Sequence, residues 1–553
     1  MIKGTRKNMY YEDKVIYQIY PKSFKDTNGD GIGDIKGITE KLDYLQTLGI
    51  DMIWMCPIFA SPQRDSGYDI KDYYSIDPIF GTMEDLELLI AEAKKRNIYL
   101  MFDMVFNHTS TEHIWFQEAL KGNSKYKNYY FFKKGKNGNL PTNWDSKFGG
   151  KAWKYVPEFD EYYLHLYDEK QADLNWENEE VRNELIKIVN FWLKKGIRGF
   201  RFDVINNIDK RVFADSPDGL GKQFYCDQPK VHKYLHEVNT RSFGRVAGCI
   251  TVGEMSATSV ENCIGYTNPQ NKELDMVFSF HHLKVDYVNK EKWTSMPFDF
   301  QELKELLNTW QVRMQEGQGW NALFWNCHDQ PRSVSRFGDD KKFRVHSAKM
   351  LATAIHLMRG TPYIYQGEEI GMTNHYFTNI NQYRDVESIN AYHILKNQGL
   401  EEKEIHQILQ DKSRDNARTP MQWDESVNGG FSDGTPWLQV NTNYQTINVN
   451  AALKDTDSIF YHYQKLIKLR KEYKIISTGE YIPILENHPQ VFGYKRSLNN
   501  QELIVLNNFY GQDVLLNLDV INYQVLINNY NEIDLTNLCL KPYQSVALYK
   551  KEV

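Results

Sequence analysis

The residues best suited to do chemistry lie in one short run, Gly199-Phe200-Arg201-Phe202-Asp203-Val204-Ile205-Asn206-Asn207. In a strand the side chains alternate between faces, so Phe200, Phe202 and Val204 would pack to one side while Arg201 and Asp203 point together to the other. A charge on an interior face is costly unless paired, and an arginine beside a carboxylate favours the ionised acid. Such an acid is an anionic nucleophile held ready. Taken alone, an Arg-x-Asp pair more often describes a structural ion pair. Two further acids shift that balance: Glu254 in Val252-Gly253-Glu254, and Asp329 in Trp325-Asn326-Cys327-His328-Asp329-Gln330.

Each of these acids follows a short apolar run of strand character. Runs of that kind occupy 15–20, 51–56, 98–105, 199–204, 250–253, 276–280, 322–325 and 362–365, with helical periodicity between most of them. The stretch 179–195 carries Val181, Leu185, Ile188, Val189, Trp192 and Leu193 at the spacing of a buried helical face, and Gly196 stops it. Eight strands alternating with helices predict an α/β fold, a (β/α)8 or TIM barrel. Residues 109–178 are too long for a loop and read as an inserted B domain between barrel segments 1–108 and 179–476. From 477 to 553, short alternating runs broken by Asn and Gly predict a C-terminal antiparallel β-sandwich domain.

In such a barrel the C-terminal strand ends converge, so the three carboxylates are expected to meet. Crowding favours a proton on one acid while an arginine keeps another ionised, the pairing that glycoside hydrolysis needs. Asp203 is assigned as nucleophile because of Arg201, and Glu254 as general acid and base because its strand brings no local cation. Asp329 would stabilise positive charge developing at the sugar carbon.

Composition agrees with a soluble globular chain: 553 residues, 41% hydrophobic and 25% charged. The net charge of −6 gives no general basic field, which argues against a nucleic-acid binder. Six scattered cysteines form no C-x-x-C pair, as expected of buried thiols in a reducing compartment. No leader-like segment and no membrane-length apolar run is visible, so a cytoplasmic monomer without membrane or nucleic-acid partners is expected.

Four segments, Asp103-Met104-Val105-Phe106-Asn107-His108, Gly199-Phe200-Arg201-Phe202-Asp203, Val252-Gly253-Glu254 and Asn326-Cys327-His328-Asp329, resemble the signature regions of the alpha-amylase family of glycoside hydrolases. The resemblance implies retaining chemistry at an alpha-glucosidic bond with the same three carboxylate roles and no catalytic cofactor. It also implies that His108, Arg201 and His328 hold the sugar ring, with Tyr68 beneath it and Gln171 nearby. Asp65 and Arg414 match the pair that closes the pocket in exo-acting members.

The loop Asp26-Thr27-Asn28-Gly29-Asp30-Gly31-Ile32-Gly33-Asp34 offers oxygen ligands at alternate positions, as a hard cation prefers. Gly37 stands where an EF-hand would place its bidentate Glu, so an EF-hand is not expected, and a solvated acidic turn remains open. Resemblance to the oligo-1,6-glucosidase branch implies structural Ca2+ or Mg2+ held by Asp26, Asn28, Asp30, Asp34 and the carbonyl of Ile32.

Substrate choice turns on His281, Lys284 and Lys292, which follow the sixth strand. A phosphate there would gain charge-assisted hydrogen bonds of roughly 1.5–3 kcal/mol each, although lysines on a loop are also commonly just solvated. Segments 253–258, 266–269, 272–276 and 281–287 are similar to family members that cleave a phosphorylated disaccharide. That similarity implies hydrolysis of alpha,alpha-trehalose 6-phosphate to glucose and glucose 6-phosphate. Two alternatives stay open: an oligo-1,6-glucosidase acting on neutral isomaltose-type sugars, which Val204 also fits, and a barrel kept as a transporter-accessory subunit.

Overall fold

The alternation of strands and helices holds in the computed structural model, which describes residues 10–136 and 138–551. Eight strands span Ile16–Ile19 (β1), Met52–Met55 (β2), Tyr99–Met104 (β3), Gly199–Phe202 (β4), Ile250–Glu254 (β5), Met276–Phe278 (β6), Ala322–Leu323 (β7) and Thr361–Tyr365 (β8). Their order in the sheet is β6-β5-β4-β3-β2-β1-β8-β7, each strand beside its neighbour in sequence, which is the topology of a (β/α)8 barrel. The helices used below are Ile35–Glu40 (α1), Glu179–Lys195 (α2), Phe300–Glu316 (α3), Arg344–His356 (α4), Val449–Lys454 (α5) and Ile459–Glu472 (α6).

The chain forms two compact units, one of Trp54–Ala91 with Tyr99–Ser279, the other of residues up to Ile53, Glu92–Ile98 and Phe280 onward. In the first, β4 lies parallel between β3 and β5, with Arg201 opposite Asp103 on one side and Val252 on the other. That register decides which side chains can meet at the strand ends. Helix α2 supports these strands. Asn178 caps it by accepting from the Glu180 N–H, and Gly196 ends it at φ 109°. Its buried Trp192 packs on Phe59 and Phe102, ring centroids 5.4 and 4.9 Å away.

Within 109–178 the strands Phe132–Lys133, Glu161–Leu164 and Trp153–Val156 make a small antiparallel sheet. Strand β4 is shorter than its sequence pattern. It stops at Phe202, and Val204 turns into the left-handed region at φ 35°. Val204 therefore does not pack beside Phe200 and Phe202 as alternation predicts; it joins Trp144, Trp153, Leu166 and Tyr167 instead. A β-branched residue at positive φ is strained, and surrounding contacts must hold it there.

In the second unit β8 pairs in parallel with β1 and with β7. Five antiparallel strands follow near the C-terminus: Glu480–Ile484 (β9), Val491–Leu498 (β10), Gln501–Asn508 (β11), Gln524–Asn528 (β12) and Ser545–Lys551 (β13), ordered β9-β10-β11-β13-β12. The ribbon formed by Val514–Leu515 and Cys539–Leu540 supplies the opposing layer, and Val514 and Leu540 join Val491, Ile504 and Leu548 in one core. The polar stretch after β8 contains two helices, Val386–Asn397 and Glu402–Lys412, closed over Phe377, Tyr383 and Leu438. All six cysteines are free thiols. Among the described residues no helix is long and apolar enough to cross a membrane.

Candidate active site

One guanidinium organises the acids of the first unit. Arg201, 1% exposed, donates from Nη1 to Asp103 Oδ1 at 2.6 Å and to Asp203 Oδ1 at 2.7 Å, and Nη2 reaches Glu254 Oε2. The third contact corrects the sequence argument. Glu254 lies two residues past Val252, the partner of Arg201 across the sheet, so a neighbouring strand brings the cation that its own strand lacks. The arginine alone does not distinguish the two acids.

Asp103 is the residue that sequence reasoning overlooked, although it opens one of the family-like segments. It accepts from Tyr68 Oη at 2.9 Å and from Trp54 Nε1 at 3.2 Å in addition to Arg201. Burial pushes its carboxyl up, Arg201 opposes, and the charge on Asp203 adds to the rise. One cation thus faces three carboxylates in a buried cluster. Such an excess of negative charge is relieved by holding a proton on one member.

Around this cluster the other predicted residues form a chain of hydrogen bonds. Gln171 donates to Asp65 Oδ2 and to the Tyr68 carbonyl, both at 3.1 Å. His108 Nε2 lies 3.0 Å from the same carbonyl, and Asn107 Nδ2 lies 3.1 Å from its Nδ1. Burial lowers the His108 pKa, against the pull of Asp203 and Asp173. Both ring nitrogens are thus engaged, and a sugar hydroxyl that hydrogen-bonds His108 has to displace one of these partners. Lys147 is a second residue missed from sequence: its Nζ donates to Ser256 Oγ at 2.8 Å, two positions beyond Glu254, and burial pushes its pKa down to about 8.

The second unit holds Asp329 differently. Arg414 Nη1 and Arg418 Nη2 reach Asp329 Oδ1 at 3.1 and 2.9 Å, and His328 Nε2 lies 3.1 Å from Oδ2. Gln18 fixes the far side of His328 at 2.8 Å, and Tyr20 stacks on its ring. Arg414 also pairs with Asp385 at 2.5 Å. Against the cost of burial, Arg414 and Arg418 hold the Asp385 carboxyl well below the usual range. Asp385 and Arg418 were not singled out from sequence, because no local spacing links them to Asp329.

The basic residues after β6 have different surroundings. The His281 ring lies 5.0 Å from that of Trp310 on α3, and Lys284 is exposed. Lys292 is committed to Glu387 at 2.6 Å, and Glu387 in turn lies 3.4 Å from Arg414. A phosphate drawing on Lys292 has to compete with that carboxylate.

In the glycine-rich loop Asp26 accepts from the N–H groups of Asn28, Gly29 and Gly31 and from Ser432 Oγ. Asp30 accepts from the Ile32 N–H, and Asp34 caps α1 through Gly37 N–H at 2.7 Å. Gly31 sits at φ 87°, where a Cβ would fall 1.9 Å from the Thr435 carbonyl oxygen, so close chain packing alone demands glycine there. Among the described residues the loop carboxylates do not gather three ligand atoms within 4.8 Å; Cys327, His328 and Asp329 do, and there His328 and Asp329 already pair with each other. The loop's donors are oxygens only, the set a hard cation takes. Asn28, Asp30 and the Ile32 carbonyl offer the more accessible of them.

A barrel whose strand ends carry an arginine-bound pair of acids is the architecture of a glycosidase, and comparison gives the class directly. Residues 18–479 match the alpha-amylase catalytic domain, and residues 491–547 match the C-terminal domain of the alpha-amylase SusG. The chain belongs to the alpha-amylase family. Within it, the chain is 56% identical to the trehalose-6-phosphate hydrolase of Bacillus subtilis (strain 168), over 98% of each sequence. It is 48% identical to an oligo-1,6-glucosidase of Halalkalibacterium halodurans, over 98% of this chain and 99% of that one. The crystal structure of Bacillus licheniformis trehalose-6-phosphate hydrolase superposes with a TM-score of 0.95 at 54% identity, covering 99% of this chain and all of that one.

Proposed function

We propose that this enzyme is a retaining, exo-acting glucoside hydrolase that cleaves alpha,alpha-trehalose 6-phosphate to glucose and glucose 6-phosphate. The observation that carries the chemistry is the Arg201 cluster, in which one cation is shared by Asp103, Asp203 and Glu254. Asp203 attacks the anomeric carbon as the bond to the leaving sugar breaks, and Glu254 gives its proton to the departing oxygen. Glu254 then takes a proton from water, which attacks the glycosyl ester and frees Asp203. Asp103 positions Arg201. Tyr68, His108, Gln171, Arg201 and His328 are assigned to the sugar ring, Asp65 and Arg414 to the closed end that limits attack to a chain terminus, and Asp329 to the third carboxylate role of the family motif.

The phosphate preference is supported by the higher identity to the phosphotrehalose-cleaving relative, 56% against 48% for the neutral-sugar relative. His281, Lys284 and Lys292 are its proposed contacts, and a charged substrate goes with a cytoplasmic, monomeric enzyme. One observation favours the second reading, an oligo-1,6-glucosidase: Lys292 already neutralises Glu387. Glucose release from trehalose 6-phosphate, trehalose and isomaltose at equal concentration separates the two. A kcat/KM preference for the phosphorylated sugar that collapses in Lys284→Gln/Lys292→Gln supports the first, and preference for isomaltose overturns it.

We further propose that Asp26, Asn28, Asp30, Ile32 and Asp34 hold a structural Ca2+ or Mg2+. The ion would tie the loop to the segment around Ser432 and supply no chemistry to the reaction. A thermal midpoint that rises with added Ca2+ in the wild type and not in Asp30→Ala supports this; equal midpoints with Ca2+ and with chelator in both proteins overturn it.

A further inference from the structure

A cleft of about 130 Å³ in the unit that carries Asp329 is lined by Arg344, Ile370, Asn448, Ala452, Asp455 and Ser458 among others, none of them assigned to the active site. A single water needs only ~10–15 Å³ by the same kind of measure, so the space suits a larger polar occupant. Its lining carries one cationic and one anionic side chain, Arg344 and Asp455. Arg344, the first residue of α4, is partly buried and donates from Nη1 to the carbonyls of Ile370 and Gly371 at 3.0 Å each. No carboxylate among the described residues forms an ion pair with it, and burial lowers its pKa with no charge opposing the shift. A partly buried guanidinium that meets carbonyls but no carboxylate leaves its charge available to an anion.

Two further features border the same cleft. Helix α6 begins beside it, and the positive end of a fourteen-residue helix, with its unsatisfied N–H groups, favours an anion. Ser458 stands at the N-cap of that helix yet does not turn its hydroxyl onto the helix. The residue is 8% exposed, and its Oγ has no hydrogen-bond partner. A serine that forgoes capping leaves a buried donor for something else.

Asp455 lines the cleft as well, exposed, with one oxygen accepting from the Asp457 N–H at 3.0 Å. A fully deprotonated oxyanion would be repelled by it. Hydrogen phosphate, which keeps a P–OH to donate to a carboxylate, meets the cation, the helix end, the serine donor and the acid together. We propose that this cleft binds hydrogen phosphate, through Arg344, the α6 N-terminus and Ser458, with Asp455 accepting the phosphate proton.

The test is calorimetric titration of the full chain with inorganic phosphate at constant ionic strength. It is run in a His281→Gln/Lys284→Gln/Lys292→Gln background so that phosphate contacts proposed for the substrate do not contribute. Sulfate and glucose 6-phosphate serve as parallel arms. Ala452→Glu places a carboxylate in the cleft without removing any contact that holds the fold, and Ser458→Ala removes the donor. Saturable phosphate binding is expected, weakened about tenfold or more by Ala452→Glu and less by Ser458→Ala. Equal affinity for sulfate overturns the assignment of hydrogen phosphate, and glucose 6-phosphate binding that is tighter than that of phosphate and is itself weakened by Ala452→Glu overturns the free ion as occupant. Absence of saturable heat, or affinities unchanged in Ala452→Glu, overturns the site.

Discussion

The two charge clusters of this barrel are built on different ratios. In the first unit one guanidinium, Arg201, serves three carboxylates; in the second, Arg414 and Arg418 face Asp329 and Asp385. In the cluster short of cations burial and the charge on Asp203 raise the Asp103 carboxyl, while in the other Arg414 and Arg418 hold Asp385 well below the usual carboxylate range. The proposed division, acid–base chemistry in the first cluster and charge stabilisation by Asp329 in the second, rests on this contrast. The lesson is that counting charges across strands distinguishes the roles of acids that look alike in sequence.

The most drastic way to break the comparison is to remove the nucleophile. Asp203→Asn should lower kcat by about 10⁴-fold or more with the fold intact, checked by circular dichroism beside the assay. Glu254→Gln should cost about 10²–10⁴-fold on the natural substrate. A glucoside whose leaving group needs no proton, such as a nitrophenol, should lose far less. Equal losses on both substrates would take the proton-donor role away from Glu254.

The balanced cluster predicts a different phenotype. Asp385→Asn leaves Arg414 and Arg418 with surplus buried charge, so stability should fall by about 3–5 kcal/mol in urea titrations. Asp203→Asn, which relieves a surplus of negative charge, should leave stability nearly unchanged or raised. The sign of the difference between these two variants is the sharpest check on the charge count.

A smaller effect comes from a buried acid paired with no cation. Glu368 accepts from Tyr463 Oη at 2.6 Å, and burial pushes its pKa from 4.5 up to about 8. Between those values the folded chain retains a proton that the unfolded chain has lost, so its contribution to stability is present at low pH and fades as pH rises through the window. Glu368→Gln, which mimics the neutral acid, should flatten that part of the stability profile between pH ~5 and ~8.

Much of this arrangement was legible in the sequence, for a physical reason. Strand alternation relates Arg201 to Asp203 within one element, and apolar runs with helical spacing between them specify the barrel. What could not be read depends on register between strands and on packing at long range. Arg201 reaches Glu254 because β4 and β5 pair at Val252, and Lys292 finds Glu387 far along the chain. Val204 leaves its strand at φ 35° and packs with Trp144, Trp153 and Tyr167, residues that no local spacing ties to β4.

The most direct test of the account is to trap the covalent intermediate. A fluorinated glucosyl fluoride that forms the glycosyl ester quickly and hydrolyses slowly should leave its sugar on a single peptide, and the account predicts the label on Asp203. A label on Glu254 or Asp103 would contradict the division of roles within the Arg201 cluster.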